Sequence, residues 1–327
     1  MAAYTIIKLK DMSPLHMGTG KENYDFSASH LHSDTLSAAL AAMKVRHDGA
    51  EGIKEFLDSL VISSAFPYMD NHYFLPRPLG KINVKVNDCD EYISRKKLKS
   101  VKFIEQDVWK ALTCGEQVAI SISQLKNGFL LSNNTEFRQP YKSSVHQRVT
   151  VPRIDGQDAE PFFFDWTFFE QNAGLYCLTN AIGTKLEEQV RLFELLGEYG
   201  IGTDKNVGGG KFTVETQSFV IPDITNANAH ILLSLYIPKE NEIQSAINLE
   251  ESRYELCQRG GYMAGSQEND FWHLRKKSIY MFGVGSILKT TDTLEGKVVD
   301  LCPTDYNDNR MHPVYRSGKP FVVPVKL

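Results

Sequence analysis

Five glycines and two lysines crowd the stretch after Gly197: Gly200, Gly202, Lys205, Gly208, Gly209, Gly210 and Lys211, just before Phe212 and Val214 begin an alternating, strand-like run. Each glycine loses more backbone entropy on folding than alanine, roughly 0.5–1 kcal/mol where alanine would fit. Their density therefore signals positive φ, or close approach of another backbone or a phosphate. Two familiar phosphate loops are excluded. A Walker loop needs Gly, four residues, then Gly-Lys-Ser/Thr, but Gly210-Lys211 is followed by Phe212, and Lys205 stands where the first glycine belongs. A dinucleotide fingerprint follows a strand and opens a helix, whereas this loop follows a helical pattern, opens a strand and has Lys205 at the third glycine position. Two readings remain: a turn whose backbone N–H groups and lysines hold an anion such as an RNA backbone, or a long connection.

Other residue groups are less pointed. His30, His32 and Asp34 alternate at a helix entry with no fourth ligand, which favours capping and local hydrogen bonds over a metal site. The cysteines, Cys89, Cys114, Cys177, Cys257 and Cys302, are odd in number and far apart, with no CxxC pair to make a metal knuckle or a redox site. No metal and no cofactor is expected. Arg95, Lys96, Lys97, Lys99 and Lys102 form a charge run that reads first as a solvated face. A more specific basic stretch lies between Phe137 and Pro161. There Lys142, His146, Arg148 and Arg153 accompany alternating Val149 and Val151, and Asp155-Gly156 is a turn signal, so a projecting basic hairpin is expected, an exposed insertion being the bland alternative.

The elements that must position these groups can be read from periodicity. Tyr4 to Lys10 is strand-like, followed by a polar turn containing His16, Gly18, Gly20 and Lys21. Ser33 or Asp34 then caps a helix whose Leu36, Leu40 and Met43 share one face. A helix over residues 51–60 leads to two short aromatic strands. PFFFDWTFF and LYCLTNAI read as strands feeding a helix from Thr184 to Leu196, opened by a Thr184/Glu187 capping box and amphipathic through Leu186, Val190, Phe193 and Leu196. The pattern restarts after Pro222 with a strand at AHILLSLYI, a helix at ENEIQSAINLEESRYEL and further strands. Strand, helix, strands, helix, strand is the order of the split β-α-β unit. The expected class is α+β: two ferredoxin-like (RRM-like) domains, residues 1–221 carrying the hairpin insertion and the glycine loop, and residues 222–327 a degenerate second copy.

Bulk properties bound the function. A length of 327 residues suits two domains, and 42% hydrophobic with 23% charged residues is globular in composition. No apolar run reaches the roughly 18 residues of a membrane span. The start, MAAYTIIKLKDM, lacks a signal peptide's apolar core, so a cytoplasmic protein with no membrane partner is expected. A net charge of −4 argues against a general nucleic-acid coat, so any RNA contact must be a local basic surface.

Taken together, SPLHMGTG, HSDTLSAAL, GIGTDKNVGGGKF, KKSIYMFGVGS and the closing HPVYRSGKPFVVPVKL resemble the RAMP proteins of CRISPR systems, most closely the Csm-four family of type III-A effector complexes. The resemblance implies a cap on the five-prime handle of the crRNA, seated beside the large polymerase-like subunit and a neighbouring backbone RAMP subunit. It also implies a binder rather than a nuclease. By position, the family's glycine loop falls on Gly200 to Lys211 and its basic thumb on Lys142 to Arg153, where the sequence departs from a tidier arginine-rich form. The implied RNA-binding residues are His16, Gly18, Gly20, Lys21 and His32 near the start, Lys142, His146, Arg148 and Arg153 on the thumb, and Gly200, Gly202, Lys205, Gly208, Gly209, Gly210 and Lys211 in the loop. Single-stranded RNA is held by such N–H, lysine and arginine contacts to phosphate and by splayed bases. The alternative is a RAMP-type endoribonuclease processing the crRNA precursor, with His16, His32 or His146 as general acid or base. A protein meeting only protein partners would leave the loop glycines unexplained.

Overall fold

The computed structural model describes residues 2–18, 24–28, 30–134, 136–152, 158–222, 224, 226–263, 269–290, 292–303, 308 and 310–326. Gly20, Lys21, Arg153 and the Asp155-Gly156 turn lie outside them. The molecule is a mixed α+β structure around an eight-stranded sheet. Across one half of that sheet the strands Thr213–Ile221, Ala2–Lys10, Ala173–Thr179 and Phe66–Met69 lie side by side, each antiparallel to its neighbour. The sheet continues through His72–Pro76, Phe103–Glu105, Phe129–Leu130 and Leu125–Lys126, with a single parallel pairing between Phe103–Glu105 and Phe129–Leu130.

Alternation along the strands divides their side chains between two layers. Ile7, Leu9, Leu175 and Cys177 face the helices, meeting Leu36, Leu40 and Met43 of helix Ser33–Asp48 and Leu192, Phe193 and Leu196 of helix Thr184–Tyr199. Ile6, Tyr176, Leu178, Phe219 and Ile221 face the other way. There they share one core cluster with Ala229, Ile231, Ile287, Val323 and Val325 of a second, antiparallel sheet ordered Asn248–Arg253, Ile287–Lys289, Ala229–Leu232, Val322–Val325. One strand system ends at Ile221 and the other begins at Ala229, yet the two bury apolar surface against each other.

Several local expectations are revised. Helix Thr184–Tyr199 starts from Gly183 at φ +57°, with no side-chain cap, so the Thr184/Glu187 capping box does not form. Helix Ser33–Asp48 is likewise capped by neither Ser33 nor Asp34: His32 precedes it, while Ser33 Oγ accepts from Leu235 N at 2.9 Å and Asp34 turns to two arginines. The expected helix after Pro238 is a single π-helical turn, Glu242–Ala246, followed by strand Asn248–Arg253. Two features override helical propensity there. The buried Glu242 carboxylate binds the backbone N–H groups of Lys239, Glu295 and Gly296, and Ile247 and Leu249, two residues apart, enter one apolar cluster as strand residues do. PFFFDWTFF is a strand, Glu160–Phe169, but it stands outside the eight-stranded sheet, paired with Tyr141–Thr150 in register from Phe169↔Tyr141 to Glu160↔Thr150 and bridged to Leu15 at Thr167. The charge run falls on helix Glu91–Ser100, where Arg95, Lys96, Lys97 and Lys99 are exposed. Among the described residues no helix is long and apolar enough to cross a membrane.

Candidate nucleic-acid interface

The glycine loop is folded onto the turn that follows the first strand. Ser13 N donates to Lys211 O at 2.9 Å, Gly210 N to Pro14 O at 2.9 Å and Thr203 N to His16 O at 3.1 Å. Ser13 Oγ donates to Gly208 O at 2.8 Å and accepts from Lys211 N at 2.7 Å. Inside the loop Ile201 N reaches Gly210 O and Gly209 N reaches Asp204 O. The expected cradle of free amides is therefore largely closed, because the N–H groups of Gly200, Gly208, Gly209, Gly210 and Lys211 already donate to protein acceptors. Close approach does explain the glycines, but of protein backbone. Gly210 sits at φ +65°, and a Cβ there would lie 1.8 Å from Ile201 O; at Gly202, φ +97°, it would lie 2.4 Å from His16 O. Gly208, at φ +89°, faces open space.

The ribbon formed by Tyr141–Thr150 and Glu160–Phe169 is pinned to this loop at mid-length. Leu15 and Thr167 exchange both backbone hydrogen bonds at 2.9 Å. His16, only 2% exposed, pairs through Nδ1 with Asp165 O at 2.8 Å and lies against Phe164, ring centroids 4.3 Å apart. Asp165 accepts from Ser27 N at 3.0 Å and from Ser143 Oγ, and Tyr24 stacks on Phe164. Arg148 is the tie to the loop: its guanidinium lies over the Phe164 and Trp166 rings at 4.4 and 5.2 Å and donates to the Asp204 carboxylate. Trp166 closes over Gly209, where a Cβ would come within 2.8 Å of the indole. Beyond this anchor Val145, Val149, Val151 and Phe163 are exposed, as are Tyr24 and Phe26 at its side.

A groove of about 310 Å³ opens between helix Ser33–Asp48, the end of helix Thr184–Tyr199 and the loop, lined by Gly18, His30, Thr35, Tyr199, Gly200, Gly202, Lys205 and Arg259. Its walls are cationic. Lys205 Nζ and the Arg46 guanidinium sit over the Tyr199 ring at 4.5 and 4.6 Å, and a hydrogen bond from Arg46, with the Lys205 charge, draws the phenol below its usual pKa. Gly18 is exposed at the rim. His32 lies deeper, stacked on His30; burial, assisted by the Arg259 charge, lowers it to about 4, so it is neutral near pH 7. Lys142 pairs with Glu170 at 2.8 Å near the ribbon base, and exposed His146 packs beside Phe168. Of the sequence-derived residues, Gly18, Gly200, Gly202 and Lys205 meet in the groove, while Lys142 and His146 stay on the ribbon. His16 and Arg148 face inward as ties between ribbon and loop. Thr35, Tyr199 and Arg259 escape sequence reasoning, since Arg259 is 224 residues from its partner Thr35 and carries no motif. Asp204 and Trp166 stand within or next to stretches already singled out, and what the sequence does not show is that Arg148 joins them.

In this α+β chain the basic ribbon is tied through Arg148 to a glycine loop that lines a cationic groove. Residues 225–325 match the CRISPR Csm4 C-terminal domain family. Over 308 residues, 92% of either chain, the protein is 26% identical to the CRISPR system Cms protein Csm4 of Mycobacterium tuberculosis strain H37Rv, and 25% identical over 272 residues, 79% of this chain and 81% of the relative, to that of Thermococcus onnurineus strain NA1. Its fold resembles a crystal structure of the Csm3-Csm4 subcomplex in the type III-A CRISPR-Cas interference complex, with a TM-score of 0.65 at 18% identity covering 99% of this chain and 100% of that one. A Csm1-Csm4 cassette in complex with cA4 gives 0.62 at 18% identity over 99% and 98%. The chain is thus similar to Csm4 proteins over most of its length, and its residues 225–325 match the family of their C-terminal domain.

Proposed function

We propose that the protein is a non-catalytic RNA-binding subunit of a type III-A CRISPR effector ribonucleoprotein. It caps the five-prime handle of the crRNA in the cytoplasm, and it joins a large polymerase-like subunit on one side and a backbone RAMP subunit on the other. The observation that carries this reading is that the glycine loop and helix Ser33–Asp48 meet at one groove with Lys205 and Arg259 in its walls and Arg46 over its Tyr199 ring, while the ribbon is tied to the same loop through Arg148. Cations there suit phosphates, and exposed Tyr24, Phe26 and Phe163 offer faces on which unpaired bases stack. The partners follow from the complexes in which similar chains sit. The strand order Thr213–Ile221, Ala2–Lys10, Ala173–Thr179, Phe66–Met69, with both long helices on one face, supports a ferredoxin-like reading of residues 1–221, and the smaller sheet a reduced copy in 222–327.

The same geometry favours binding over cleavage. General acid-base chemistry on a ribose phosphate needs an accessible proton acceptor and donor at one phosphate. His16 is buried and bonded, His32 is buried and neutral, and His146 stands on the ribbon strand. The test is to mix the full chain with single-stranded RNA carrying the repeat-derived handle, with RNA lacking it, and with whole repeat RNA. Tight binding of the first, weaker binding of the second and no cleavage of the third are expected. Cleavage of the repeat RNA, lost on changing His146 or His32, would establish the nuclease reading instead.

A further inference from the structure

The basic run on helix Glu91–Ser100 takes no part in the groove, yet it ends close to it. His30, on the groove wall, packs against Phe103 with ring centroids 5.6 Å apart. Lys102, the residue before, is exposed, and its charge adds to burial in lowering the His30 imidazole. Lys102 N and Phe103 N both donate to Gly128 O, at 2.7 and 3.1 Å, which seats the chain leaving the helix on the Asn127-Gly128 turn between strands Leu125–Lys126 and Phe129–Leu130. Packing there is close: a Cβ on Gly128, at φ +84°, would lie 3.4 Å from Ser100 O and 3.9 Å from Lys102 Cγ. Beside the turn opens a depression of about 520 Å³, lined by Lys97, Ser100, Lys126, Asn127, Gly128 and Phe137.

Lysines in a last helical turn offset the negative end of the helix dipole, and Lys97 and Lys99 stand there. Lys102 and Lys126 lie beyond the helix, so the dipole does not account for them. The carboxylates of residues 77–140 are all described, and those nearest in sequence are held elsewhere. Asp90 caps the far end of the helix through Tyr92 N at 2.8 Å, Glu91 pairs with Arg95 at 2.5 Å, Asp88 accepts from Ser121 Oγ and Ile122 N, and Glu105 holds His72 and Ser132 N. Among the described residues no carboxylate forms an ion pair with Lys97 or Lys102. We propose that the end of helix Glu91–Ser100 and the Asn127-Gly128 turn form a second phosphate-binding surface, over which the RNA strand continues after leaving the groove past His30, with Lys97 and Lys102 as its phosphate contacts. The proposal rests on the RNA-binding reading and adds to it the path of the strand. Continuity favours nucleic acid over an acidic protein here. The cations follow one another from the groove wall to the depression, as a chain of phosphates requires, and half-buried Phe137 gives an unpaired base an apolar face.

The full chain, titrated with fluorescein-labelled handle RNAs shortened or extended stepwise with uridines at either end, tests it. For the wild type, affinity should rise several-fold at the length that first reaches the depression. For Lys97→Gln with Lys102→Gln that step should be missing, while RNAs too short to leave the groove bind as they do to the wild type. With the longest RNA the slope of log affinity against log salt should fall by about 1.4, the loss of two phosphate contacts on a single strand. Lys97→Arg with Lys102→Arg should keep both the step and the slope. All these side chains are exposed, so each variant should melt with the wild type. Lys205→Ala is the control for the groove and should weaken binding at every length. If it does so while the double glutamine variant matches the wild type throughout, the surface is refuted with the RNA reading intact, and the lysines serve the helix end or an acidic protein. A loss equal at every length would mark a diffuse field rather than contacts and would refute the surface too. If the wild type binds none of these RNAs, both readings fall.

Discussion

Gly210 and Gly208 have the same backbone handedness but opposite surroundings, and the contrast makes a measurable pair. Alanine at Gly210 meets both a positive φ and the Ile201 carbonyl, so the loop must move; a loss of about 3 kcal/mol or more is expected in denaturant unfolding. Alanine at Gly208 meets only the left-handed backbone, and about 1 kcal/mol is expected. Equal losses at both sites would mean that packing against Ile201 is unimportant. His32 gives a second residue-level outcome, in pH. An unfolded histidine takes up its proton near 6.5, but in the fold His32 does so only near 4. Between those values the unfolded chain holds more protons, so stability falls as pH drops from about 6.5 toward 4, by on the order of 3 kcal/mol. His30, also lowered by burial, adds to the same slope. His32→Gln should flatten the curve in that window, and an unchanged slope would remove His32 as its source.

At the scale of elements, the ribbon and the glycine loop behave as one device because Arg148 belongs to both. Its guanidinium covers two rings of the ribbon and bonds to Asp204 of the loop. Arg148→Ala should free the ribbon: amides of Tyr141–Thr150 should exchange faster by roughly tenfold, about 1.4 kcal/mol of local stability, with little change in global melting. It should also weaken RNA binding without lowering the salt slope, since its charge is already paired with Asp204. A slope lowered by a full phosphate contact would instead place Arg148 on the RNA. Much of this arrangement was legible in sequence. Alternation marked the first strand, three- and four-residue steps marked both long helices, and glycine density marked a special loop. PFFFDWTFF reads as a strand and is one, but its partner is not legible, because a run of aromatics looks the same whether a helix layer or a loop covers it. The helix expected after Pro238 failed for a similar reason: local periodicity could not register that the Glu242 carboxylate would be drawn to the distant amides of Glu295 and Gly296.

For the whole molecule, the decisive contacts are the ones with no sequence signal at all. Asp34 lies in the first turn of the first long helix, and Arg259 and Arg316 come from the other end of the chain, 225 and 282 residues away. Burial on its own would raise the Asp34 carboxyl, but the Arg316 and Arg259 charges outweigh it and hold the group below its usual value, ionised. Together with the apolar surface shared by the two sheets, this makes the helix layer and the C-terminal part mutually dependent. Asp34→Asn nearly preserves shape while removing the negative charge that Arg259 and Arg316 share. Breaking a buried pair in this way costs about 3–5 kcal/mol, because the partners stay buried and unpaired. The expected outcome is a lower unfolding midpoint in urea and earlier proteolysis between Ile221 and Ala229, where the two strand systems join. An apolar isostere at Asp34 should be no better, since it too leaves Arg259 and Arg316 facing each other. Only a variant that also neutralises an arginine, such as Asp34→Asn with Arg316→Met, should recover part of the loss. If the double variant is as unstable as the sum of the two single ones, the carboxylate and Arg316 act independently, and the link between the two parts lies in the shared apolar core.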